Sequence, residues 1–287
     1  MDTGFPAADS RDDFARARRS AVLRRLAARL RMREGDVDVL LPFDEVVGAL
    51  GHRGEQHLGL QTVELDSIVG SVGRETGFDR QFRPTSDVAR HRFERLALAV
   101  RKGETLPPVD LYRVGDVHFV RDGHHRVAVL RALGREVVEA RVTLVRTAVG
   151  PGEDLRVSHL PLKGHERLFR ERVPLPPALR DRVVLTVPKD WALLAEGVEA
   201  WGFRRMQERG ELMSRADVAL AWFTEEYEPV LSMLREAGLH PGEPTTDAQV
   251  YLRFAKDRYL VLRTHRWDDA VLSQLALLAD PKRSRRG

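Results

Sequence analysis

YRVGDVHFVRDGHHRVAVLRAL, running from Tyr112 to Leu133, is the stretch whose reading decides the fold. Tyr112–Val114 and Val117–Val120 are two short runs of strand-forming residues, and Gly115-Asp116 between them is a two-residue turn of the kind that closes a hairpin. Asp122-Gly123 then breaks the chain. Val127, Leu130, Ala132 and Leu133 follow at helical spacing, with Gly134 as a stop. A strand passing through a glycine turn into a helix, with two histidines and an arginine in the first turn, is suited to an anion. The first N–H groups of a helix have no internal partner and carry the positive end of its dipole. Gly123 allows a ligand close to the backbone, and Arg126 offers a planar donor fork that matches phosphate. On the residues alone a plainer reading stands beside this one: Asp122 caps the helix and the histidines are solvated.

Upstream, Leu106-Pro107-Pro108 is rigid and extended. It follows a helix that Ser86 or Asp87 caps and that runs to Lys102, with Phe93, Leu96, Leu98 and Val100 apolar. Gln61–Val69 alternates as a strand with Val63 and Leu65 inward, and Gly51–Gly59 before it reads as a loop. The strand ends at Gly70-Ser71-Val72-Gly73-Arg74, a second turn that can hold phosphate. Phe43–Leu50 is a short helix after Pro42. Ser10 begins a helix to Arg33 whose apolar side is Val22, Leu23, Leu26 and Leu30, while Arg18, Arg25 and Arg29 form a basic stripe able to meet nucleic acid. Downstream, Glu136–Val145 is a strand, and Thr147–Asp154 is a linker by composition. The rest reads as helical, apart from a strand candidate at Val183–Val187. Trp191–Arg209 is a helix broken at Gly197 or Gly202. Arg215–Ala237 is a helix that Pro229 kinks or splits, and Asp247–Thr264 and Trp267–Leu278 are the last two.

PPVDLYRVGDVHFVRDGHHRVAVLRALG (Pro107–Gly134), with LDSIVGSVGR (Leu65–Arg74) upstream, resembles the ParB/sulfiredoxin-like family over residues 60–147. The resemblance implies an α+β chain. Residues 1–59 are a basic helix and lead-in, residues 60–147 a small mixed-sheet nucleotide-binding domain, residues 155–280 a mainly helical domain, and residues 281–287 a basic tail. In that superfamily the G-x-x-R turn holds a nucleoside triphosphate. ParB proteins carry Gly-Glu-Arg-Arg and bind CTP, sulfiredoxins carry Gly-Cys-His-Arg and bind ATP, and a branch of free-serine kinases carries a histidine-bearing version. Carried onto this chain, Gly123, His124, His125 and Arg126 are the nucleotide-binding residues, joined by Ser71 or Arg74 from the other loop. Magnesium would arrive with the nucleotide, with Asp122 or Glu64 as its carboxylate, and His124 or His125 would move a proton. Removing Arg126 is then expected to abolish nucleotide binding and leave the fold intact.

The 287 residues include no cysteine, which excludes disulfides, thiolate zinc sites and a working sulfiredoxin, since His124 stands where that chemistry needs the thiol. The helical half shows no helix-turn-helix of the kind partitioning ParB proteins carry. Net charge is only +4, with 43% hydrophobic and 31% charged residues, an ordinary globular composition. No apolar run approaches membrane-spanning length and the Asp-rich start is unlike a secretory signal, so a cytoplasmic protein is expected. Two functions remain. One is a CTP- or ATP-binding switch with slow hydrolysis that meets DNA, or a protein through its helical half, as a monomer or homodimer. The alternative is a small-molecule phosphotransferase resembling the free-serine kinases.

Overall fold

The computed structural model describes residues 6–30 (25–30 as backbone only), 39–73, 77–152 and 155–279. Arg74 and the tail lie outside them, as do the side chains of Leu26 and Leu30. The chain is α+β: a mixed six-stranded sheet with many helices. It divides into two compact units, Met1–Gly164 and His165–Gly287.

The first unit holds the whole sheet. Its strands are β1 (Leu41–Pro42), β2 (His52–Glu64), β3 (Ile68–Ser71), β4 (Val109–Val114), β5 (Val117–Asp122) and β6 (Val137–Thr147), in the order β1-β3-β5-β4-β6-β2. β1, β3 and β5 run parallel, β4 and β5 form the hairpin expected around Gly115-Asp116, and β6 lies parallel to β4. Alternation along β5 serves both faces. Val120 joins the cluster with Phe14, Phe93 and Val127, from α1 (Pro6–Leu30), α3 (Arg90–Arg101) and α4 (His124–Ala132). Phe119 joins Phe43, Val46 and Leu50 of α2 (Phe43–Leu50) on the other side.

Three expectations are corrected here. Gly51–Gly59 is not a loop: β2 occupies it and pairs antiparallel with β6 along its length. As the outer strand of the sheet it is exposed on most residues, so no apolar alternation marks it. Its glycines at 54 and 59 adopt positive φ and sit where the register shifts, as bulges require. Val63 and Leu65 are buried as expected, but Leu65 opens a 3-10 turn (Leu65–Ser67) that separates β2 from β3. The third correction concerns α1, which turns inward the residues Asp9, Ser10, Asp13, Phe14, Ala17 and Ala21, leaving Val22 and Leu23 half exposed or more. Arg101 of α3 pairs the two buried carboxylates, and Phe14 packs edge-on against Phe93 at 5.5 Å. The buried side thus combines this ion pair with Phe14, Ala17 and Ala21, and is not the face that Val22 and Leu23 mark.

The second unit is helical. The boundary falls within α5 (Leu160–Arg172); after it come the single turn α6 (Pro177–Arg180), α7 (Pro188–Arg209), α8 (Arg215–Trp222), a π-helical turn (Phe223–Tyr227), α9 (Glu228–Glu236), α10 (Asp247–Leu260) and α11 (Asp269–Ala279). Capping boxes begin α8 at Ser214 and α10 at Thr246. The π turn sits just before Pro229, where the missing N–H prevents an unbroken α-helical ladder. Trp222, Phe223, Tyr227 and Tyr251 pack as a buried aromatic core. Val183–Val187 is not a strand, because this unit offers it no sheet edge. Its backbone and side chains are instead gripped from α10: Thr246 Oγ1 donates to the Val184 carbonyl and Gln249 Nε2 to Thr186 Oγ1, each at 2.6 Å. α7 runs unbroken through Gly197 and Gly202, because Val218 of α8 fills the space beside Gly202.

Candidate functional site at the carboxyl ends of strands three and five

Parallel pairing sets Ser71 opposite Val120, so β3 and β5 end side by side. The approach is close. A Cβ on Gly70 would lie 2.3 Å from the Leu41 carbonyl oxygen and 2.5 Å from the Phe119 ring, so only glycine lets β1 and β5 close on β3 here. The Val72 amide continues the ladder to the Val120 carbonyl at 2.9 Å and fixes the chain just past Ser71.

After Asp122 the chain turns at Gly123, with φ +104°, and enters α4. The glycine serves the protein's own packing. A Cβ would sit 2.6 Å from Cγ1 of Val109, so that side of the turn is filled from within. Asp122 makes no capping hydrogen bond; its exposed carboxylate pairs with Arg126. Arg126 is committed further, donating to the carbonyls of Pro107 at 2.9 Å and Pro108 at 2.6 Å. The guanidinium expected to face phosphate thus ties the lead-in of β4 to the first turn of α4.

The two loops named from sequence do meet. Ser71 Oγ and His124 Nε2 lie 2.6 Å apart, and Ser71 Oγ also donates to its neighbour's carbonyl, Val72 O, at 3.2 Å. Ser71 is 1% exposed, while His124 and His125 are half-buried. Phe82 lies 6.2 Å from the His124 ring, and Phe78 meets His125 edge-on at 5.1 Å.

Those phenylalanines belong to Phe78–Arg83, a segment whose sequence carries no helical or strand periodicity. Buried Asp79 organises it: Oδ1 accepts from the amides of Gln81 and Arg83, each at 2.9 Å, and Oδ2 from Arg83 Nε at 2.8 Å. Phe82, wholly buried, adopts φ +57°, an uncommon conformation for a large side chain. Arg131 of α4 lies over its ring at 5.4 Å. Two phenylalanines four residues apart within a run of charged residues was the signal available.

No protein-family model, curated protein or solved structure matches this chain.

Other expected residues lie elsewhere or outside the description. Exposed Glu64 ends β2, and its carbonyl accepts from Ser67 Oγ at the start of β3, the opposite end of that strand from Ser71. Ser67 Oγ in turn meets His118 Nδ1 at 2.8 Å. His118 is lowered to about 4, chiefly by burial and secondarily by the nearby Arg113 cation, and so is neutral at physiological pH. Arg18 is paired with Asp87, which also binds Arg90, while the Arg25 and Arg29 side chains lie outside the described residues. A shallow hollow of about 530 Å³ on α1 is lined by Arg16, Arg19, Ser20, Leu23 and Arg24, and another of about 640 Å³ has Arg18, Arg19 and Arg90 in its lining. Among the described residues, no group of three or more His, Asp or Glu could hold a metal ion, and no helix is long and apolar enough to cross a membrane.

Proposed function

We propose that residues 60–147 form a nucleotide-binding domain of the ParB/sulfiredoxin type, which takes the phosphates of CTP or ATP beside the first turn of α4. The observation that carries this reading is the meeting of Ser71 and His124, 2.6 Å apart where two adjacent parallel strands end. Open α/β sheets bind ligands at the carboxyl ends of parallel strands, where a following helix presents its N-terminal end. His124 and His125 are then the side chains nearest the phosphates. Arg126 acts through the turn it holds, and Ser71 through His124. Magnesium would come with the nucleotide, held by phosphates and water, with the exposed Asp122 carboxylate as the protein's contribution. The outer arginines of α1, Arg16, Arg19 and Arg24, offer an anionic partner such as DNA a surface that the bound nucleotide would regulate.

A phosphotransferase acting on a small hydroxyl compound is the second reading, and the serine-held histidine favours it. A histidine in fixed orientation can take the proton of an attacking hydroxyl.

A thermal-shift panel of nucleoside triphosphates with magnesium, followed by product analysis, tests both. Stabilisation by one nucleotide that is lost in His124→Ala is expected. Diphosphate released without an acceptor supports the hydrolytic switch; diphosphate formed only with an added metabolite supports the transferase. No shift with any nucleotide refutes both.

A further inference from the structure

The outer side of α1 carries apolar and cationic side chains together. Its last described side chains, Val22, Leu23 and Arg24, all face water, with Val22 50% and Leu23 67% exposed. Ala15, Arg19, Val22 and Leu23 share one face of the helix by their spacing. Both hollows on this helix have Arg19 and Leu23 in their lining, and the larger adds Val22. The surface is thus indented around Leu23, not flat.

Its charge is unbalanced. Arg18 and Arg90 share the single carboxylate of Asp87. Arg16 reaches Asp13 only at 3.9 Å, and Arg101 already holds that carboxylate. Arg19 donates to the Ala15 carbonyl of its own helix at 3.3 Å, and neither it nor Arg24 pairs with a carboxylate among the described residues. A second copy of this face would therefore repel the first. A DNA backbone would satisfy the arginines but offer Val22 and Leu23 no apolar surface. A helix that lies in a lipid surface presents an unbroken apolar face, and here Arg19 interrupts it.

We infer that residues 15–24 of α1 dock an acidic amphipathic helix of another protein, with Val22 and Leu23 as the apolar contacts and Arg16, Arg19 and Arg24 as the charged ones. Resting on the reading of α1 as a partner surface, this narrows its anionic partner from nucleic acid to protein. Apolar side chains at helical spacing on the partner enter the hollows beside Leu23, and carboxylates flanking them meet the arginines. Covering Val22 and Leu23 supplies the affinity, while the charges steer the approach and select an acidic partner over a basic one.

The test is fluorescence anisotropy of the full chain, without nucleotide, against a labelled synthetic peptide of about 18 residues with leucines at i, i+3, i+4 and i+7 and glutamates elsewhere. Saturable binding is expected, weakened about tenfold or more when Val22→Ser is combined with Leu23→Ser, and likewise when Arg19→Glu is combined with Arg24→Glu. All four side chains are exposed, so both variants should keep the thermal midpoint of the unaltered chain. A peptide of the same composition in scrambled order should bind about tenfold more weakly or worse. No saturable binding overturns the inference, as does equal binding of the scrambled peptide. Tighter binding of a DNA duplex of about 20 base pairs, or of phosphatidylserine vesicles, than of the peptide also overturns it and assigns the surface to phosphates. If the peptide binds and no nucleotide shifts the melting of the chain, this surface stands and the nucleotide site falls. The reverse result refutes this surface alone.

Discussion

The carboxylate of Asp13, buried in α1, receives two parallel hydrogen bonds from Arg101 of α3, at 2.9 and 3.1 Å. The Asp13 side chain is 2% exposed and that of Arg101 18%, with Asp9 at 3.8 Å as a second carboxylate. Removing Asp13 takes both hydrogen bonds from a largely buried guanidinium and leaves it Asp9 at a longer distance. Asp13→Ala should therefore cost about 3 kcal/mol in urea denaturation. Asp116→Ala, which removes a fully exposed partner of Arg113, should leave the midpoint unchanged. Equal midpoints for the two variants would show that α1 is not held this way.

Arg126→Ala should reduce stability as well as any nucleotide affinity. The side chain is 16% exposed and closes on two carbonyls and Asp122, so its loss unties the Pro107-Pro108 lead-in from α4. A cost of about 1–3 kcal/mol is expected. Full stability in this variant would return Arg126 to a free, ligand-facing role.

Two glycines of α7 should respond with opposite sign. Gly197 has open space around it, so Gly197→Ala should stabilise by about 0.5–1 kcal/mol through lower unfolded-state entropy and better helix propensity. A Cβ at Gly202 would lie 2.3 Å from Val218 Cγ1, and Gly202→Ala should destabilise by about 1–3 kcal/mol. Thermal denaturation of both variants decides it; a stabilised Gly202→Ala would show that α7 and α8 do not cross there.

His118 should make stability fall with acid. Its folded pKa, about 4, lies below the ordinary 6.5, so the unfolded chain binds the proton more readily. The contribution is complete above pH 6.5, is lost as pH falls from there to about 4, and levels off below. The loss is on the order of 3 kcal/mol at most. His118→Gln should show a shallower decline over that window. A parallel decline in both proteins would show that His118 titrates normally.

The hairpin, the glycine turn and α4 were legible because each is local. Turn residues, strand formers and helical spacing all fall within Tyr112–Leu133, and the elements formed there. β2 was not legible, since an outer strand exposed on most residues has no apolar alternation to read. Its pairing comes from β6, more than seventy residues away. α1 was read on the wrong side because its buried face carries two aspartates, and burying them requires Arg101 far along the chain. At the site, Ser71 and His124 were chosen separately from two turns. No spacing shows that they touch, and none indicates that Arg126 already has acceptors within the protein.

By itself the sequence determined the α+β class, the strand–turn–helix around Gly123 and the exclusion of thiol chemistry. These follow from residue types and from periodicities that short segments carry within themselves. Only the tertiary structure decided which polar groups are satisfied. Arg126 and Asp122 turn to each other and to the Pro107-Pro108 lead-in, Asp13 is buried against Arg101, and Ser71 holds His124. Hydrogen bonds and ion pairs at 2.6 to 3.1 Å depend on where distant segments come to rest, and that is set by the packing of the whole sheet.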